Sequence, residues 1–490
     1  MAEFQFSLLL PEFLVAGLAI TVFTADLFLP ESHKGKTGPL SIVGLVIISL
    51  FTLWHLDGVD EVLFGGLVKF DTYSLFFKEF FLFSGIIIII ISLQFVEKYL
   101  SQPGEYYAII LTSVLAMMFM ASSGELLTAY ISLELLSFCL YVLAGYSRVE
   151  PKSHEAGVKY ILLGAFSSAL LLYGISLLYG SLGTTSFSEM AQVIESNQSG
   201  LDGRLVLGLI FLIGGLAFKL SAIPFHMWAP DVYEGAPLPI TAYIAVASKA
   251  AAFALVLRLF AEGLLPAAEQ WKMVVAILAT ITMLGGNLVA LAQSNVKRML
   301  AYSSIGQVGY LLMGIAALST LSANGLVFHL VGYAVTNLLA FGTIIGFYNT
   351  SKGEQINDFA GLATRSPFLA ACLTAAFLSL AGLPFFAGFT TKFYLFAATA
   401  EGGFLWLVCV AGIASVISLY YYLQVIKQMY VHESNDLTEI PVSPAMKMVL
   451  LPLLVGVIFI GVYPGPLVES IGLATLEIFP ESAFSFSLGN

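Results

Sequence analysis

The sequence predicts an all-α, polytopic membrane protein of about 14 transmembrane helices. Of its 490 residues, 59% are hydrophobic and only 10% are charged, and the mean hydropathy of +0.92 lies far above that of soluble domains. Apolar stretches follow one another along the whole chain, each close to the ~20 residues that an α-helix needs to cross a bilayer core. No soluble domain fits between them, so the lipid bilayer is the expected surroundings of the protein.

The candidate spans are bounded by turn residues or by charged residues. In chain order they are 8–29, 39–56, 73–95, 106–121, 126–146, 158–179, 205–222, 240–260, 273–291, 300–318, 325–348, 367–398 with a break, 404–429 and 448–463. The first stretch has no basic segment before it and is long enough to span. This pattern favours a retained helix over a cleaved signal peptide.

The distribution of lysine and arginine predicts the orientation. If both termini face outside, eleven cations lie in the inside segments, and only Lys69, Arg204 and Lys272 lie in the outside segments. The inside set is Lys34, Lys36, Lys98, Arg148, Lys152, Lys297, Arg298, Lys352, Arg365, Lys427 and Lys447. An excess of cations on the cytoplasmic side is the rule for membrane proteins, so we expect both termini outside.

Two spans carry matching interruptions. LSAIPFH at 220–226 and LAGLPFF at 380–386 align without gaps at a spacing of 160 residues, and each contains a proline, Pro224 or Pro384. Proline breaks a helix, and broken helices at corresponding positions of two halves indicate an inverted-repeat transporter. We therefore predict two inverted five-helix repeats, each containing a broken helix.

The predicted organisation has four parts. Three N-terminal helices occupy 1–105, the first repeat occupies 106–265, the second repeat occupies 266–432, and a C-terminal helix with its tail occupies 433–490.

Four ionisable residues lie deep within the predicted spans. Glu134 and Lys249 are near the centres of theirs, Lys219 precedes Pro224 by five residues, and Lys392 follows Pro384 by eight. A charge at such depth costs roughly 3 to more than 10 kcal/mol, so these groups should face partners or water inside the bundle. Burial disfavours the charged form of a lysine and a nearby carboxylate favours it, so a Glu–Lys set can load and release protons. The alternative is a structural ion pair.

Other polar residues of the spans have two interpretations each. Lys159, near the inside end of its span, either joins a proton pathway or extends to the interface. Lys78 and Arg258, in the outer parts of their spans, are more consistent with interfacial anchors. His226 and His329 could relay protons, because histidine titrates near neutral pH, or could be neutral hydrogen-bonded residues.

Several classes of protein are excluded. Cys139, Cys372 and Cys409 are isolated from one another, which excludes a cysteine-held iron–sulfur cluster in this chain. The nucleotide-binding and zinc motifs GxGxxG, GxxxxGK[ST] and HExxH are absent. No basic patch indicates nucleic acid. We therefore expect neither a cofactor nor a metal in this chain.

Long motifs in the sequence resemble a known family. GLAFKLSAIPFHMWAPDVYEGAPLP at 215–239, followed by ASKAA around Lys249, is similar to the signature of the antiporter-like subunits shared by complex I and multisubunit cation/proton antiporters. HEAGVKYILLGAFSSALLLYG from His154 and NVKRMLAYSSIGQVGYLL from Asn295 are also typical of this family. PDVYEGAP, SLAGLPFFAGFTTKFYLF and SLYYYLQVI are most similar to its subunit N branch, the counterpart of mitochondrial subunit two.

The resemblance implies a proton-translocating subunit in the membrane arm of an NADH:quinone oxidoreductase, in the inner membrane of a bacterium. It implies that Glu134 pairs with Lys219, that Lys159 modulates this pair, that Lys249 is central and that Lys392 ends the path. Protons would move from inside to outside, driven by redox chemistry in other subunits. NADH, FMN, iron–sulfur clusters and quinone are expected in partner subunits, and the partners include other antiporter-like subunits and the small membrane subunits.

One departure from the family pattern separates its branches. Sister subunits carry a second histidine and a lysine in the span after His329, whereas this chain has HLVGYAVTNLL, with Tyr333 and Asn337 there. This difference favours the subunit N branch, and it means that a link from Lys249 to Lys392 must use water, hydroxyls or His329. The alternatives are a subunit of a sodium/proton antiporter or a membrane-bound hydrogenase, and a non-conducting membrane scaffold.

Overall fold

The helices of the protein confirm the predicted all-α, polytopic fold. The structure, a computed structural model, describes residues 6–196, 202–434 and 438–479. Within this part of the chain, thirteen helices are long and apolar enough to cross a membrane. An interrupted helix between 367 and 401 accounts for the fourteenth predicted span.

The helices of the first half are α1 (Leu10–Phe28), α2 (Thr37–Leu56), α3 (Thr72–Tyr99), α4 (Pro103–Ser122), α5 (Leu126–Ala144), α6 (Pro151–Leu182), the short α7 (Phe187–Ser196), α8 (Gly203–Leu220) and α9 (Trp228–Gly235). Those of the second half are α10 (Leu238–Tyr243), α11 (Lys249–Arg258), α12 (Ala268–Ala290), α13 (Val296–Ala316), α14 (Thr320–Ser351), α15 (Leu362–Arg365), α16 (Pro367–Ala381), α17 (Ala387–Glu401), α18 (Leu405–Val431), α19 (Pro444–Val462) and α20 (Gly465–Leu476). Short 3-10 turns occupy Phe6–Leu9, Glu31–Lys36, Phe64–Gly66, Leu265–Ala267 and Ile356–Phe359.

Both predicted breaks are present. The gap between α8 and α9 surrounds Pro224, and the gap between α16 and α17 surrounds Pro384. Each preceding helix ends at a residue with left-handed backbone, Ser221 with φ 65° and Gly382 with φ 86°, a conformation that terminates helices. The inverted relation of the two halves and the four-part organisation stay predictions.

Contacts between loops and helix ends show that the ends of the helices form two opposite faces. One face joins Lys34 to Gln102, Lys98 to Asn349 and Lys152 to Glu234, and it contains segments predicted to lie inside. The opposite face joins Val68 to Ser123, between α4 and α5, and Lys69 to Glu262. We term these the inner and outer faces. This grouping of the helix ends agrees with 14 spans that cross the membrane in alternating directions. The location of the two termini stays a prediction, because residues 1–5 and 480–490 lie outside the described residues.

The outer face also carries a small sheet that the sequence analysis did not predict. Its antiparallel strands are β1 (Glu61–Leu63) and β2 (Val68–Phe70). They lie between the spans α2 and α3, and the next residue after β2, Asp71, caps α3.

The helix that carries Lys249 lies at the centre of the bundle and is irregular. Between α10 and α11 the chain forms a π-helical segment, Ile244–Ser248, and a second one, Leu259–Gly263, follows α11. The apolar 18-residue stretch of this helix, within Leu238–Gly263, is entirely buried. π segments widen a helix by one residue per turn and are frequent at functional sites.

A buried ionic cluster holds the outer end of this central helix. Arg258, which is 0% exposed, donates two hydrogen bonds of 2.7 Å to Asp71 and one of 3.0 Å to Glu262. Lys69 pairs with Glu262 at 2.6 Å, and the Tyr73 hydroxyl donates to the backbone of α11 at 2.8 Å. We term Asp71, Arg258, Glu262 and Lys69 the outer ionic cluster.

The interpretation of Lys78 and Arg258 as interfacial anchors is therefore wrong. Lys78 is also 0% exposed and pairs at 2.8 Å with Glu12 on α1. Hydropathy places a residue along its helix but does not show which way its side chain points, and these two point into the bundle. The buried charges are tolerated because each has an opposite charge in contact.

Removing Arg258 should destabilise the protein strongly. Burial alone would raise the pKa of Asp71, but the charge and hydrogen bonds of Arg258 outweigh it and hold that pKa below its ordinary value. Arg258→Ala leaves Asp71 buried and unpaired, for which we expect a loss of about 3–5 kcal/mol in the free energy of unfolding. Thermal unfolding of the purified protein measures the loss. The exposed Arg204, paired with Asp202, is the matched control, and Arg204→Ala should change little. Equal effects would contradict the account.

The orientation can be tested by cysteine labelling. Cys409 is exposed, so it is first replaced by serine, whereas Cys139 and Cys372 are buried. New cysteines at Val149 on the inner face and Val62 on the outer face are well exposed, 81% and 55%. A membrane-impermeant maleimide added outside cells should modify Val62→Cys and spare Val149→Cys. The reverse pattern would show that the topology is inverted.

Candidate functional site

The structure brings Glu134 and Lys219 together. Glu134 Oε1 on α5 lies 3.4 Å from Lys219 Nζ, near the end of α8, and it accepts a 2.6 Å hydrogen bond from Ser168 on α6. Lys219 also donates to the hydroxyls of Ser137 at 2.7 Å and Tyr141 at 3.4 Å. A serine at each end of the pair therefore offers a neutral partner to the carboxylate and to the ammonium.

Lys249 bonds one hydroxyl group and has no carboxylate within ion-pair distance among the described residues. It is 1% exposed and donates a hydrogen bond to Ser304 on α13. The Ser304 hydroxyl also bonds the hydroxyls of Tyr333 at 2.7 Å and Tyr233 at 3.2 Å. We term Lys249, Ser304, Tyr233 and Tyr333 the central cluster.

The π segment before Lys249 contributes to this cluster. Its residue Ala245 accepts a 3.1 Å hydrogen bond from the Tyr333 hydroxyl through its backbone carbonyl. A carbonyl oxygen has two lone pairs, so that of Ala245 can accept from Tyr333 in addition to any bond within the helix. The π segment is therefore in direct contact with the tyrosine that bonds Ser304.

Lys392 lies at the second break. Its Nζ donates to the backbone carbonyl of Leu380 at 2.8 Å and lies 4.7 Å from the centre of the Tyr310 ring. Leu380 is the next-to-last residue of α16, where backbone carbonyls have no partner within the helix. The helix break thus creates the acceptor that holds a buried, 4% exposed lysine.

The two histidines occupy different surroundings. His329 on α14 is 2% exposed, and its Nδ1 hydrogen-bonds Thr391, the residue before Lys392, at 3.0 Å. Its Nε2 has no hydrogen-bond partner among the described residues. His226 lies in the first break, half-buried, and no hydrogen bond joins its side chain to Glu134 or Lys219 within the described part of the chain.

Lys159 belongs to a group of charges on the inner face. It pairs with Asp231 at 2.6 Å and with Glu155 at 2.7 Å, and its side chain is 41% exposed. Arg298 bonds Asp231 and Glu234 at 2.9 and 3.0 Å. We term Lys159, Asp231, Glu234 and Arg298 the inner-face cluster. On the axis of α6, Lys159 is nine residues, or about 14 Å, from Ser168 and hence from Glu134.

Two cavities open at the inner-face cluster. One, of about 220 Å³, is lined by all four of its residues. Another, of about 260 Å³, is lined by Glu234 and by the residues that lead from α9 to Leu238 at the start of α10. Each has room for several water molecules. Tyr233 of the central cluster is the neighbour of Glu234 in α9, so this short helix links the cavities to Lys249.

The sequence analysis missed the neutral members of the site. Ser304 and Gln307, on one face of α13, lie beside Lys249 and Lys392, and both are buried. Serine and glutamine are common in both loops and helices, so neither residue type by itself indicates a functional site. A polar residue within an apolar span is the one available signal.

The described residues contain no group of three or more His, Cys, Asp or Glu side chains that could hold a metal ion. What the site offers chemically is a series of amines, a carboxylate and hydroxyls. Such groups can accept, hold and donate protons.

Comparisons with known proteins agree with the resemblance. Residues 123–418 match the family described as NADH:quinone oxidoreductase/Mrp antiporter, TM. The chain is 41% identical over 474 residues to NADH-quinone oxidoreductase subunit N of Desulforamulus reducens, covering 96% of this chain and 98% of the relative. It is 40% identical to the subunit N of Heliobacterium modesticaldum, covering 97% and 100%.

Solved structures show the same fold. A chain of respiratory complex I from Thermus thermophilus superposes with a TM-score of 0.80 at 29% identity, covering 94% of this chain and 99% of that one. A chain of the Mrp complex from a Dietzia species superposes with a TM-score of 0.83 over 97% and 98%, and its 20% identity shows the fold alone. On its sequence and its fold, the chain belongs to the NADH-quinone oxidoreductase subunit N family of antiporter-like membrane proteins.

Proposed function

We propose that the chain translocates protons from inside to outside through Glu134, Lys219, Lys249 and Lys392, as a membrane-arm subunit of a bacterial NADH:quinone oxidoreductase. The observation that carries this proposal is the type of partner that each buried lysine has. Lys219 has a carboxylate, Lys249 has a hydroxyl and Lys392 has a backbone carbonyl. The partners of Lys249 and Lys392 are neutral, so they do not hold these lysines permanently in the charged ammonium form.

Protons enter from the inner face. The water-sized cavities at the inner-face cluster and the link through Tyr233 to Ser304 support uptake toward Lys249. Lys159 holds Asp231 at the mouth of one cavity, and we assign it a modulating role there. His329, beside Thr391, is the candidate relay next to Lys392, and His226 is the candidate relay at the first break.

Release takes place past Lys392. Along α17, Lys392 precedes the last residue, Glu401, by nine residues, which corresponds to about 14 Å. Its acceptor Leu380 follows the start of α16 by 13 residues, or about 20 Å. Because α17 ends at the outer face and α16 starts at the inner face, Lys392 lies closer to the outer face, which supports an exit role.

Movement of Glu134 can couple proton loading of Lys219 to conformational changes that begin in partner subunits. Two opposite charges about 4 Å apart attract by about 4 kcal/mol at an effective dielectric constant of about 20, and doubling the separation halves this energy. The difference of about 2 kcal/mol changes the ratio of loaded to released lysine by about 30-fold. A displacement of one helix by a few ångströms is therefore enough to switch Lys219.

The energy for this displacement comes from partner subunits. We propose that NADH, FMN, iron–sulfur clusters and quinone are bound there, and that this chain acts in the translocase without a redox centre of its own. Its partners are the small membrane subunits and other antiporter-like subunits, in the bacterial inner membrane with both termini outside. Copurification of flavin and iron–sulfur subunits would support this assembly, and their absence would favour a stand-alone antiporter.

Neutralising the Glu134–Lys219 pair should reduce pumping. We expect Lys219→Ala and Glu134→Ala each to lower the proton-to-electron ratio of the reconstituted complex several-fold, because the remaining charge has lost its switching partner. The ratio is measured in vesicles together with electron transfer to a quinone. Lys427→Ala and Glu195→Ala, at exposed positions, are the controls. An unchanged ratio in both test variants, with the complex assembled, would support the scaffold alternative.

A further inference from the structure

A buried glutamine lies between the central cluster and Lys392. Gln307 on α13 is 2% exposed. It follows Ser304 by three residues, so the two side chains are neighbours on one face of the helix, about 5–6 Å apart. Ser304 holds Lys249, and Gln307 therefore occupies the next helical turn in the direction of the outer face.

Gln307 and Lys392 share one acceptor. The Leu380 carbonyl accepts a 3.2 Å hydrogen bond from Gln307 Nε2 and the 2.8 Å hydrogen bond from Lys392 Nζ. A carbonyl oxygen has two lone pairs and can accept both. Because the neighbour is an acceptor, the amide must turn its NH₂ group toward Leu380, and this determines where its oxygen points.

The amide oxygen of Gln307 is buried and unused. Among the described residues, Oε1 has no hydrogen-bond partner. The hydroxyl of Tyr422, which bonds Ser303, lies beside the amide. An acceptor in this position, surrounded by protein, requires a donor such as a water molecule or a reoriented hydroxyl.

We propose that Gln307 is a positioning residue for the outward step of proton transfer. Its NH₂ group fixes the Leu380 carbonyl against which Lys392 is held, and its Oε1 orients the water or hydroxyl that passes the proton onward. In the completed step, one proton leaves Lys249 Nζ and one arrives at Lys392 Nζ, and the intervening hydroxyls and the amide end unchanged. This inference rests on the proposed function.

The test compares two substitutions in the reconstituted complex. Gln307→Met keeps the side-chain length but has no donor and only a weak acceptor, and we expect proton pumping to fall about tenfold. Gln307→Glu keeps an acceptor, but it has a donor for Leu380 only while its carboxyl group is protonated, so we expect partial pumping that falls as the pH rises through the pKa of that group. Gln94→Met, at the inner end of α3, is the matched control, since Gln94 also lies in a helix and accepts a hydrogen bond from Asn349, away from Lys249 and Lys392. We expect it to pump normally.

A double variant distinguishes positioning from structure. If Gln307 acts through Lys392, Gln307→Met should add no further loss in a Lys392→Ala background. An additive loss, or normal pumping by assembled Gln307→Met, would overturn the inference. Should Gln307→Met not assemble, a pH profile of Gln307→Glu identical to that of the unsubstituted protein would also overturn it. Normal pumping by Lys392→Ala would instead contradict the proposed exit role itself.

Discussion

The interaction on which the rest of the structure depends is the hydrogen bond that Lys219, Lys249 and Lys392 each make to an acceptor inside the bundle. A charge in the bilayer centre costs roughly 3 to more than 10 kcal/mol, so an amine there needs an acceptor. The carbonyls inside a helix already accept one bond from the helix, so side-chain oxygens and the carbonyls at helix ends are the freest acceptors. Lys392 uses the end of a broken helix at Leu380, and Lys249 uses a serine whose tyrosine partner bonds the π segment. The break at Pro384 is thus a requirement of the Lys392 part of the site.

The acceptors differ in strength, and in the proposed function this difference would give the path its direction. Lys219 has a carboxylate and is the lysine whose charge is best stabilised, whereas Lys249 and Lys392 have neutral partners. A proton on either of the latter is held weakly and is released when a second positive charge approaches, since like charges repel strongly where little water is present. The outer ionic cluster around Arg258 contributes by fixing the outer end of the helix that carries Lys249.

Much of this architecture follows from the sequence because hydropathy and proline act locally. The spans were predictable from apolar length and the breaks from Pro224 and Pro384, and charge inside a span identified Lys219 and Lys392. Side-chain direction was not predictable, and for that reason Arg258 was placed at the interface although it points into the bundle. The neutral partners Ser304 and Gln307 were missed because their importance arises only from tertiary contacts. The start of α6 at Pro151, seven residues before the predicted one, shows that polar first turns extend helices beyond their apolar cores.

The central claim is that a proton resides on a buried amine during each cycle, and Lys249 is its most direct test. Lys249→Gln keeps a donor for Ser304 but cannot take up a proton at any working pH. The measurement is the proton-to-electron ratio of the reconstituted complex, with the exposed Lys427→Gln as control. The account predicts a clearly lower ratio for Lys249→Gln, with the complex assembled and electron transfer to quinone still measurable. A ratio equal to that of the unsubstituted complex would contradict it.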